Sequence, residues 1–593
     1  MSAEVFSWVL LVVLSTLGGL ALSKSRIASG VFVAFAITLH FVLPPTAFLV
    51  LGTVLTMILL GTPLFVTLAV VTLICLYFIS DSYQTLESYE LVAEKIFGLT
   101  DKNVLLAIPF FVVAGSIMTQ GGIARRIVAF ADALIGWLPG GLGGAAVLSC
   151  MFFAAISGSS PVTVIAIGSI MMPALVGKGY PERFSLGLVT SAGSLGILIP
   201  PSIPMIVYAI VVGGEMRVDV AELFMAGIGP GLLIGGILVG YSVWTGIRRP
   251  DFSWSELKPP QPALIARRFV DGFWALLLPV IVLGGIYPLF GPTGLFTPTE
   301  AAAVAVVYAF TVELLVHREL PLAKVPGVLW ESAVLMGSLL GILVLSFAFN
   351  HFLVEEQVVD RAAEWMTQLD LSRLGFLLLL NLFLLAIGCL MDILSAILIV
   401  APLVAPIAYR YGIDPLHLGI IFVVNLEIGY LTPPIGMNLF VSSSLFDKSV
   451  GQVIRAVSPF TALMLCGLLL ITWYEPVAGG LPRVLAGRSW ATPERAAPVS
   501  VDDEDWDDDE DWDDDDEGED DGAPAGGAKS LQDLMREAGV TADQREDAER
   551  ADEGEAPSEG GAKSLQELMR EAGVTAEQRE DAERADEGEA PSE

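Results

Sequence analysis

Two interrupted apolar stretches decide how this chain folds. Residues 193–202 read GSLGILIPPS, and residues 425–434 read NLEIGYLTPP. Each stretch breaks a helix midway, because paired prolines remove backbone amide donors and glycines loosen the helical turn. A single break of this kind can be a simple kink. Two breaks at corresponding places in a repeat indicate a binding site inside a membrane.

The two broken stretches belong to an internal repeat with a shift of 233 residues. In this register Ser159 falls on Asp392, and each copy is preceded by a short apolar segment that a polar or Gly/Ser-rich patch interrupts. The shift aligns Pro173 with Pro406, Gly179 with Gly412, Gly196 with Gly429, and the pair Pro200-Pro201 with Pro433-Pro434.

The first polar patch reads Ser157-Gly158-Ser159-Ser160 and lies between two apolar runs, each too short to span a membrane comfortably. This pattern is typical of a re-entrant hairpin, whose tip has free backbone groups. Carbonyls and hydroxyls at such a tip can ligate a small hard cation, and the N-terminus of a half-helix favours an anion. The alternative is that these small residues only allow close helix packing.

The second polar patch contains Asp392, a carboxylate between Leu-rich runs. A charge inside a membrane is costly, so Asp392 is a functional candidate. Its alternative role is to cap the following half-helix, and both roles are compatible. Residues 297–300 read TPTE and predict a capping box with proline at the first helical position. The pair Arg125-Arg126 either attracts an anionic substrate or anchors a helix at the membrane interface.

The composition identifies the class of protein. The chain has 593 residues and is 54% hydrophobic, which is more apolar residue than one soluble core can absorb. Its apolar runs are continuous rather than alternating, so we predict helices and not barrel strands. The first helix is expected to remain uncleaved, because no basic segment or clear cleavage site precedes it. Candidate spans of about 20 residues lie at 6–22, 27–43, 223–244, 273–290, 301–316, 328–349, 374–390 and 453–473.

The negative charge is concentrated in the last part of the chain. The formal net charge is −34, and residues 501–593 hold 37 acidic and 8 basic side chains, which leaves −5 for the first 500 residues. We therefore predict a membrane body over residues 1–476, a connector over 477–500 and an acidic disordered segment over 501–525. Two nearly identical tandem copies follow at 526–559 and 560–593. They either dock a cytosolic partner through a short helix or remain a solvated tail.

Basic residues near the ends of the apolar runs predict a cytoplasmic tail. Lys24 and Arg26 follow the first run, and one predicted loop after the 223–244 run carries a basic cluster. That cluster consists of Arg248, Arg249, Lys258, Arg267 and Arg268.

Other function classes find no support in the sequence. It contains no phosphate-binding Gly-Lys-Ser/Thr loop, so nucleotide hydrolysis by that route is excluded. Its four histidines are scattered, and its four cysteines lie in apolar segments without metal-type spacing. We predict neither an enzyme nor a transition-metal site, and no nucleic-acid partner.

Several motifs taken in order resemble the large (M, DctM-like) subunit of TRAP transporters, over about residues 5–475. They are GSIMTQGGIARRIV (115–128), SGSSPVTVIAIGSIMMP (157–173), LGILIPPSIPMIVY (195–208), TPTEAAA (297–303) and LTPPIGMNLF (431–440). The acidic tail departs from the family pattern. The resemblance implies a bacterial inner-membrane protein that works with a small four-helix membrane subunit and a periplasmic solute-binding protein to import a small organic anion.

The same resemblance implies an elevator-type transporter with inverted repeats, two re-entrant hairpins and two broken helices, driven by sodium and needing no other cofactor. Scaffold helices would lie mainly in 1–100 and 220–330, and the transport domain mainly in 104–215 and 335–450. One sodium is expected near each pair of hairpin and broken helix, and the substrate between the two tips.

Carried onto this sequence, the resemblance gives two sets of candidate residues. The ion-binding candidates are Ser157, Gly158, Ser159, Ser160, Gly193, Gly196, Asp392, Ser395, Asn425, Gly429 and Thr432. The substrate-binding candidates are Ser159, Ser194, Pro200, Pro201, Asp392, Glu427, Pro433, Pro434 and Asn438.

Two competing functions remain open on the sequence alone. One is a stand-alone ion-coupled carboxylate carrier with paired hairpins and no binding protein. The other is a membrane-anchored scaffold or sensor whose duplicated tail recruits cytosolic partners.

Overall fold

The computed structural model describes residues 3–21, 26–60, 62, 64–79, 103–216, 218–248, 259–287, 295–358, 361, 371–433 and 436–485. Every regular element in these ranges is a helix, which confirms the all-α class. The predicted acidic segment, the two tandem copies and Pro434 lie outside the described residues.

The α-helices are numbered here in chain order. Those of the first half are α1 (Ala3–Ala21), α2 (Arg26–Val42), α3 (Pro45–Leu60), α4 (Leu64–Phe78), α5 (Ala107–Gln120), α6 (Ile123–Ile135), α7 (Gly141–Ser157), α8 (Ser160–Gly177), α9 (Glu182–Gly193), α10 (Ile203–Met216) and α11 (Val220–Ile247). Those of the second half are α12 (Pro262–Ile286), α13 (Pro298–Thr311), α14 (Val325–Glu355), α15 (Arg373–Gly388), α16 (Ile393–Arg410), α17 (Pro415–Gly429), α18 (Met437–Leu445), α19 (Val450–Trp473) and α20 (Pro476–Leu485).

Many of these helices have the length and composition of membrane spans. Within the described residues, six helices are long and apolar enough to cross a bilayer, and the pair α5 and α6, bent by 74°, would make a seventh. Large apolar side chains also face outward: Val12 is 65% exposed and Val270 is 69% exposed. Such faces are unusual on a soluble monomer and are expected where lipid covers them.

Helix starts follow the capping signals in the sequence. Thr297 and Glu300 form the predicted capping box at the start of α13. Asp414 caps α17 by accepting hydrogen bonds from the backbone amides of Leu416 and His417. These side chains satisfy amides that a helix start otherwise leaves without partners.

The repeat of 233 residues is visible in the helix boundaries. Shifted by 233, α8 covers residues 393–410, the same bounds as α16. The preceding helices end at Ser157, two residues before Ser159, and at Gly388, four residues before Asp392. The aligned residues Ser159 and Asp392 stand at the N-caps of α8 and α16. Gly179 and Gly412, which follow them, both take positive φ values of 79° and 66°. The aligned residues therefore adopt matching local structure in the two copies.

The two copies interlock through their interrupted helices. We call α7 and α8 the first hairpin, α9 and α10 the first broken helix, α15 and α16 the second hairpin, and α17 and α18 the second broken helix. In each copy the second arm of the hairpin packs on its own broken helix, α8 on α9 and α16 on α17. The same arms also cross over, because α8 packs against α18 and α16 packs against α10. Each hairpin is thus held by halves of both broken helices.

Some boundaries differ from the sequence-based prediction. Arg267 and Arg268 do not lie in a loop, because α12 begins at Pro262 with proline in its first turn. Helix α20 extends into the predicted connector.

Helix α11 lies in the predicted scaffold and packs against α7 of the predicted transport domain, and also against α19 and α20. The division of the body into a scaffold and a transport domain stays a prediction.

Candidate functional site

The tip of the first hairpin is a tight turn that depends on glycine. Gly158 ends α7 with φ 57°, and its amide donates to the carbonyl of Ala154 at 3.1 Å. A Cβ at this position would lie 2.9 Å from the carbonyl oxygen of Pro201 in the first broken helix. Glycine is therefore required both for the left-handed conformation and for the close approach of the two segments.

Oxygen atoms cluster at this tip. The hydroxyls of Ser157 and Thr163 lie 2.9 Å apart, and the Thr163 hydroxyl donates to the carbonyl of Ser159 at 2.8 Å. Gly196 of the first broken helix closes over them: a Cβ there would be 2.5 Å from the Ser159 carbonyl oxygen and 2.6 Å from Thr163 Oγ1. Such a group of carbonyl and hydroxyl oxygens is the donor set that a small hard cation prefers.

The first broken helix changes geometry where the sequence predicts. α9 ends at Gly193, a 3₁₀ turn covers Ser194–Ile197, and α10 resumes at Ile203 after the buried prolines Pro200 and Pro201. A Cβ on Gly193 would lie 2.2 Å from the Val164 side chain. The Ser194 hydroxyl donates to the carbonyl of Ser191, so this candidate uses its donor locally.

At the tip of the second hairpin, Asp392 caps α16. One carboxylate oxygen accepts from the amide of Ser395 at 3.0 Å, and the other accepts from the Ser395 hydroxyl. The next amide, Ile393 N–H, donates to the hydroxyl of Tyr430 in the second broken helix at 3.0 Å. The capping role that the sequence left open is thus present, and Tyr430 joins the tip to its broken helix.

The candidates on the second broken helix lie in different surroundings. The Asn425 amide donates to Asn381 Oδ1 on α15 at 2.8 Å, and Asn381 donates to Thr472 Oγ1 on α19 at 2.9 Å. Thr432 donates to the carbonyl of Ile428 at 2.9 Å. Gly429 packs directly on the backbone of Gly388: a Cβ on Gly429 would lie 2.5 Å from the carbonyl carbon of Gly388 and 2.6 Å from its Cα. Pro433 is exposed.

Apart from the two tips, a third polar cluster is made of side chains from both copies. The Ser160 hydroxyl, on the first turn of α8, donates to Glu427 Oε1 on α17 at 2.7 Å. The Asn438 amide on α18 donates to both Ser160 Oγ, at 2.6 Å, and Glu427 Oε1, at 3.1 Å. We call these three side chains the cross-repeat triad. Ser160 and Asn438 are fully buried and Glu427 is 2% exposed.

Three residues at these sites were not among the sequence candidates. Thr163 stands four residues after the N-cap Ser159, a position from which its hydroxyl reaches the cap carbonyl, and this spacing could have identified it. Tyr430 and Asn381 act through contacts between helices distant in sequence, for which the sequence carries no local signal.

Comparison with known proteins agrees with this architecture. Residues 51–477 match the family described as tripartite ATP-independent periplasmic transporter, DctM component. The chain is similar to the C4-dicarboxylate TRAP transporter large permease protein DctM of Rhodobacter capsulatus, with 39% identity over 450 residues, 74% of this chain and 99% of the relative. It is also similar to the protein of the same name from Pseudomonas aeruginosa, with 46% identity over 403 residues, 67% of this chain and 91% of the relative.

A solved structure shares the fold. The crystal structure of the YdaH transporter of Alcanivorax borkumensis superposes with a TM-score of 0.52 over 70% of this chain and 97% of that chain, at 15% sequence identity. At that identity the likeness concerns the fold alone. The family match and the two relatives are decisive for the class: the chain belongs to the DctM family of TRAP transporter large permeases, multi-span membrane transport proteins and not enzymes.

Proposed function

We propose that this chain imports a small organic anion across the inner membrane of a bacterium, coupled to a sodium gradient. The observation that carries the proposal is the interlocking of two hairpins with two broken helices, because interrupted helices inside a membrane expose polar groups only where a site uses them. Two relatives named for C4-dicarboxylates support a dicarboxylate as the substrate class.

The anion would bind between the two hairpin tips. Helices α8 and α16 both begin at a tip, and helix N-termini carry partial positive charge that favours a carboxylate. Ser159 and Asp392 stand at these two starts. Pro200, Pro201 and Pro433 belong to the neighbouring breaks, and Asn438 lies in the first turn of α18. An ionised Glu427 would carry the same sign of charge as the substrate, so we assign it to cation binding rather than to direct contact with the anion.

Sodium would bind at the two tips. At the first tip the ligands would come from the oxygens of Ser157, Ser159 and Thr163, next to Gly196. At the second tip they would come from Asp392 and Ser395, beside the break at Gly429. Hard, oxygen-rich sites of this kind suit alkali and alkaline-earth cations and not softer transition metals.

The proposed mechanism is an elevator in which the interlocked hairpins and broken helices move together. Two observations support it. The hairpin arms pack on broken helices of both copies, an arrangement that movement of the two copies as one body would preserve. The repeat, with matching helix bounds in α8 and α16, supplies two equivalent halves that inverted topology would orient toward opposite membrane faces. A small four-helix membrane subunit would enlarge the scaffold, and a periplasmic binding protein would deliver the substrate.

Reconstitution tests the partners. The full chain and its small subunit are placed in proteoliposomes, and uptake of a radiolabelled C4-dicarboxylate is measured with and without the binding protein. The proposal predicts uptake only when the binding protein is present. Equal uptake without it would instead identify a stand-alone ion-coupled carrier.

The tail is tested in the same system by deleting residues 501–593. A permease keeps its uptake without the tail, whereas a scaffold or sensor that acts through cytosolic partners loses its activity. Retained uptake together with lost recruitment of a cytosolic protein would show that the tail docks a partner and is separate from transport.

A further inference from the structure

The cross-repeat triad leaves two buried oxygen atoms without hydrogen-bond donors. Glu427 Oε1 accepts from Ser160 and Asn438, but Glu427 Oε2 has no partner, and neither has Asn438 Oδ1. Both side chains are at least 98% buried. Buried polar atoms are normally satisfied, so two orphans within one triad call for an occupant.

The orientation of the Asn438 amide is fixed by its neighbours. Its Nδ2 faces the Ser160 hydroxyl and the Glu427 carboxylate, both of which accept from it. Rotating the amide by 180° would place Oδ1 against the carboxylate, two acceptors without a donor between them. Asn438 Oδ1 is therefore the atom left free, and it is an acceptor only.

An ionised Glu427 would have no protein counter-ion at this place in the described part of the chain. Among the described residues, no basic side chain forms an ion pair with Glu427. The N-termini of α8 and α18 meet here, since Ser160 is the first residue of α8 and Asn438 the second of α18. Two helix N-termini and two donated hydrogen bonds favour a negative carboxylate at this position.

We infer that Glu427 and Asn438 bind a sodium ion, with Glu427 Oε2 and Asn438 Oδ1 as ligands. An ionised carboxylate oxygen and an amide oxygen are ligands that hard cations prefer, and the ion neutralises a charge that is otherwise buried alone. This site lies at the junction of the first hairpin with the second broken helix; it adjoins the first tip through Ser160, and its two ligands differ from those proposed at the tips. The inference rests on the proposed sodium coupling and adds a third ion to it.

A bound ion here would couple the two copies. Ser160 belongs to the first copy, and Glu427 and Asn438 belong to the second. Sodium binding would therefore stabilise the packing of α8 on the second broken helix, which both copies need in order to move as one body.

The experiment measures sodium binding by the purified full chain in lipid nanodiscs. The readout is the rise in thermal unfolding temperature as the Na⁺ concentration increases. Choline replaces sodium so that the ionic strength stays constant. The half-saturating Na⁺ concentration is compared for the wild type, Glu427→Gln and Glu427→Asp. Glu313→Gln is the matched control, because Glu313 is also a buried carboxylate but has the Arg126 guanidinium acting on its charge, which Glu427 lacks.

We expect Glu427→Gln to raise the half-saturating concentration at least about tenfold, the lower end of what losing a group around a metal site costs. Glu427→Asp keeps the charge and should raise it less, and Glu313→Gln should match the wild type. If Glu427→Gln does not fold, Asn438→Ser, which removes the amide oxygen and leaves the carboxylate, is expected to show the same direction of change.

Two results would overturn the inference. One is an unchanged sodium response in Glu427→Gln while the wild type responds to sodium, which would leave the proposed function standing. The other result concerns pH: the unfolding temperature of the wild type without sodium depends on pH, and that of Glu427→Gln does not, while both bind sodium with the same affinity. Glu427 would then be a proton site. A wild type without any sodium response would instead refute the proposed sodium coupling itself.

Discussion

The hydroxyl of Ser160 donates a hydrogen bond of 2.7 Å to the carboxylate of Glu427, a residue 267 positions later in the chain. This contact joins the first hairpin of one repeat copy to the broken helix of the other. Because both residues are buried and Asn438 bonds to both, neither copy can complete this part of the site alone.

The Ser160→Ala variant tests the strength of the cross-repeat triad. It removes one donor from a buried carboxylate and one acceptor from Asn438, so we expect a loss of about 1–3 kcal/mol in the free energy of unfolding. The measurement is SDS-induced unfolding in mixed micelles. Ser458→Ala is the control, because its hydroxyl is exposed and bonds only to the carbonyl of Ile454 in its own helix. Equal stability of the two variants would show that the triad contributes little.

The Gly196→Ala variant tests the close packing of the first tip on the first broken helix. A Cβ would meet the Ser159 carbonyl and the Thr163 hydroxyl well inside contact distance, and such overpacking typically costs about 1–3 kcal/mol. We expect weaker sodium dependence of uptake in proteoliposomes. Gly236→Ala is the matched control, because a Cβ there has no neighbour within 4 Å. If Gly196→Ala shows the same sodium-dependent uptake as the wild type, the first tip is not one of the ion sites.

Two substitutions of Asp392 separate its capping role from its charge. Asn is as good an N-cap as Asp, so Asp392→Asn should keep α16 intact, whereas Asp392→Ala should lose about 1 kcal/mol of stability. If the charge helps to bind an ion, both variants lose sodium-coupled uptake. The comparison is made on initial uptake rates of inserted protein, and full activity of Asp392→Asn would reduce the role of Asp392 to that of a helix cap.

The ion pair of Arg126 with Glu319 is predicted to stabilise the folded state modestly, by an amount that depends on pH. Arg126 Nη2 lies 2.7 Å from Glu319 Oε1, and the side chains are 26% and 31% exposed, so Glu319→Gln should cost at most about 1 kcal/mol. The hydrogen bonds from Arg126 hold the pKa of Glu319 below its ordinary value of 4.5. The stabilisation is therefore present above pH 4.5 and is lost as the pH falls through the lower folded-state pKa. Unfolding curves of wild type and variant should converge on acidification, and a constant difference would contradict this account.

Features that repeat along the chain could be predicted from the sequence. The 233-residue register aligns Ser159 with Asp392 and Gly179 with Gly412. The structure places the first pair at helix N-caps and gives the second pair positive φ, because local sequence controls helix starts and turns. The proline pairs and their glycines likewise locate both helix breaks, and Thr297 with Glu300 locates the start of α13.

The contacts between the copies could not be predicted. Ser160, Glu427 and Asn438 do not correspond to one another under the repeat shift, and no periodicity shows which arm crosses to which broken helix. Asn425 is an ion-binding candidate from the sequence, and the sequence carries no signal for the hydrogen bond that its amide donates to Asn381 on α15. Side-chain direction around a helix break depends on the packing of distant elements, which one sequence does not specify.

Sodium-driven uptake by the wild type and by a Ser157→Ala/Ser159→Ala double variant shows whether the chain couples transport to sodium through the first hairpin tip. The full chain, its small subunit and a binding protein are reconstituted, and accumulation of a radiolabelled C4-dicarboxylate is followed with an inward Na⁺ gradient or an equal K⁺ gradient. We expect accumulation by the wild type with sodium only, and strongly reduced accumulation by the inserted double variant. Equal accumulation with potassium, or an unchanged sodium dependence in the double variant, would contradict this coupling.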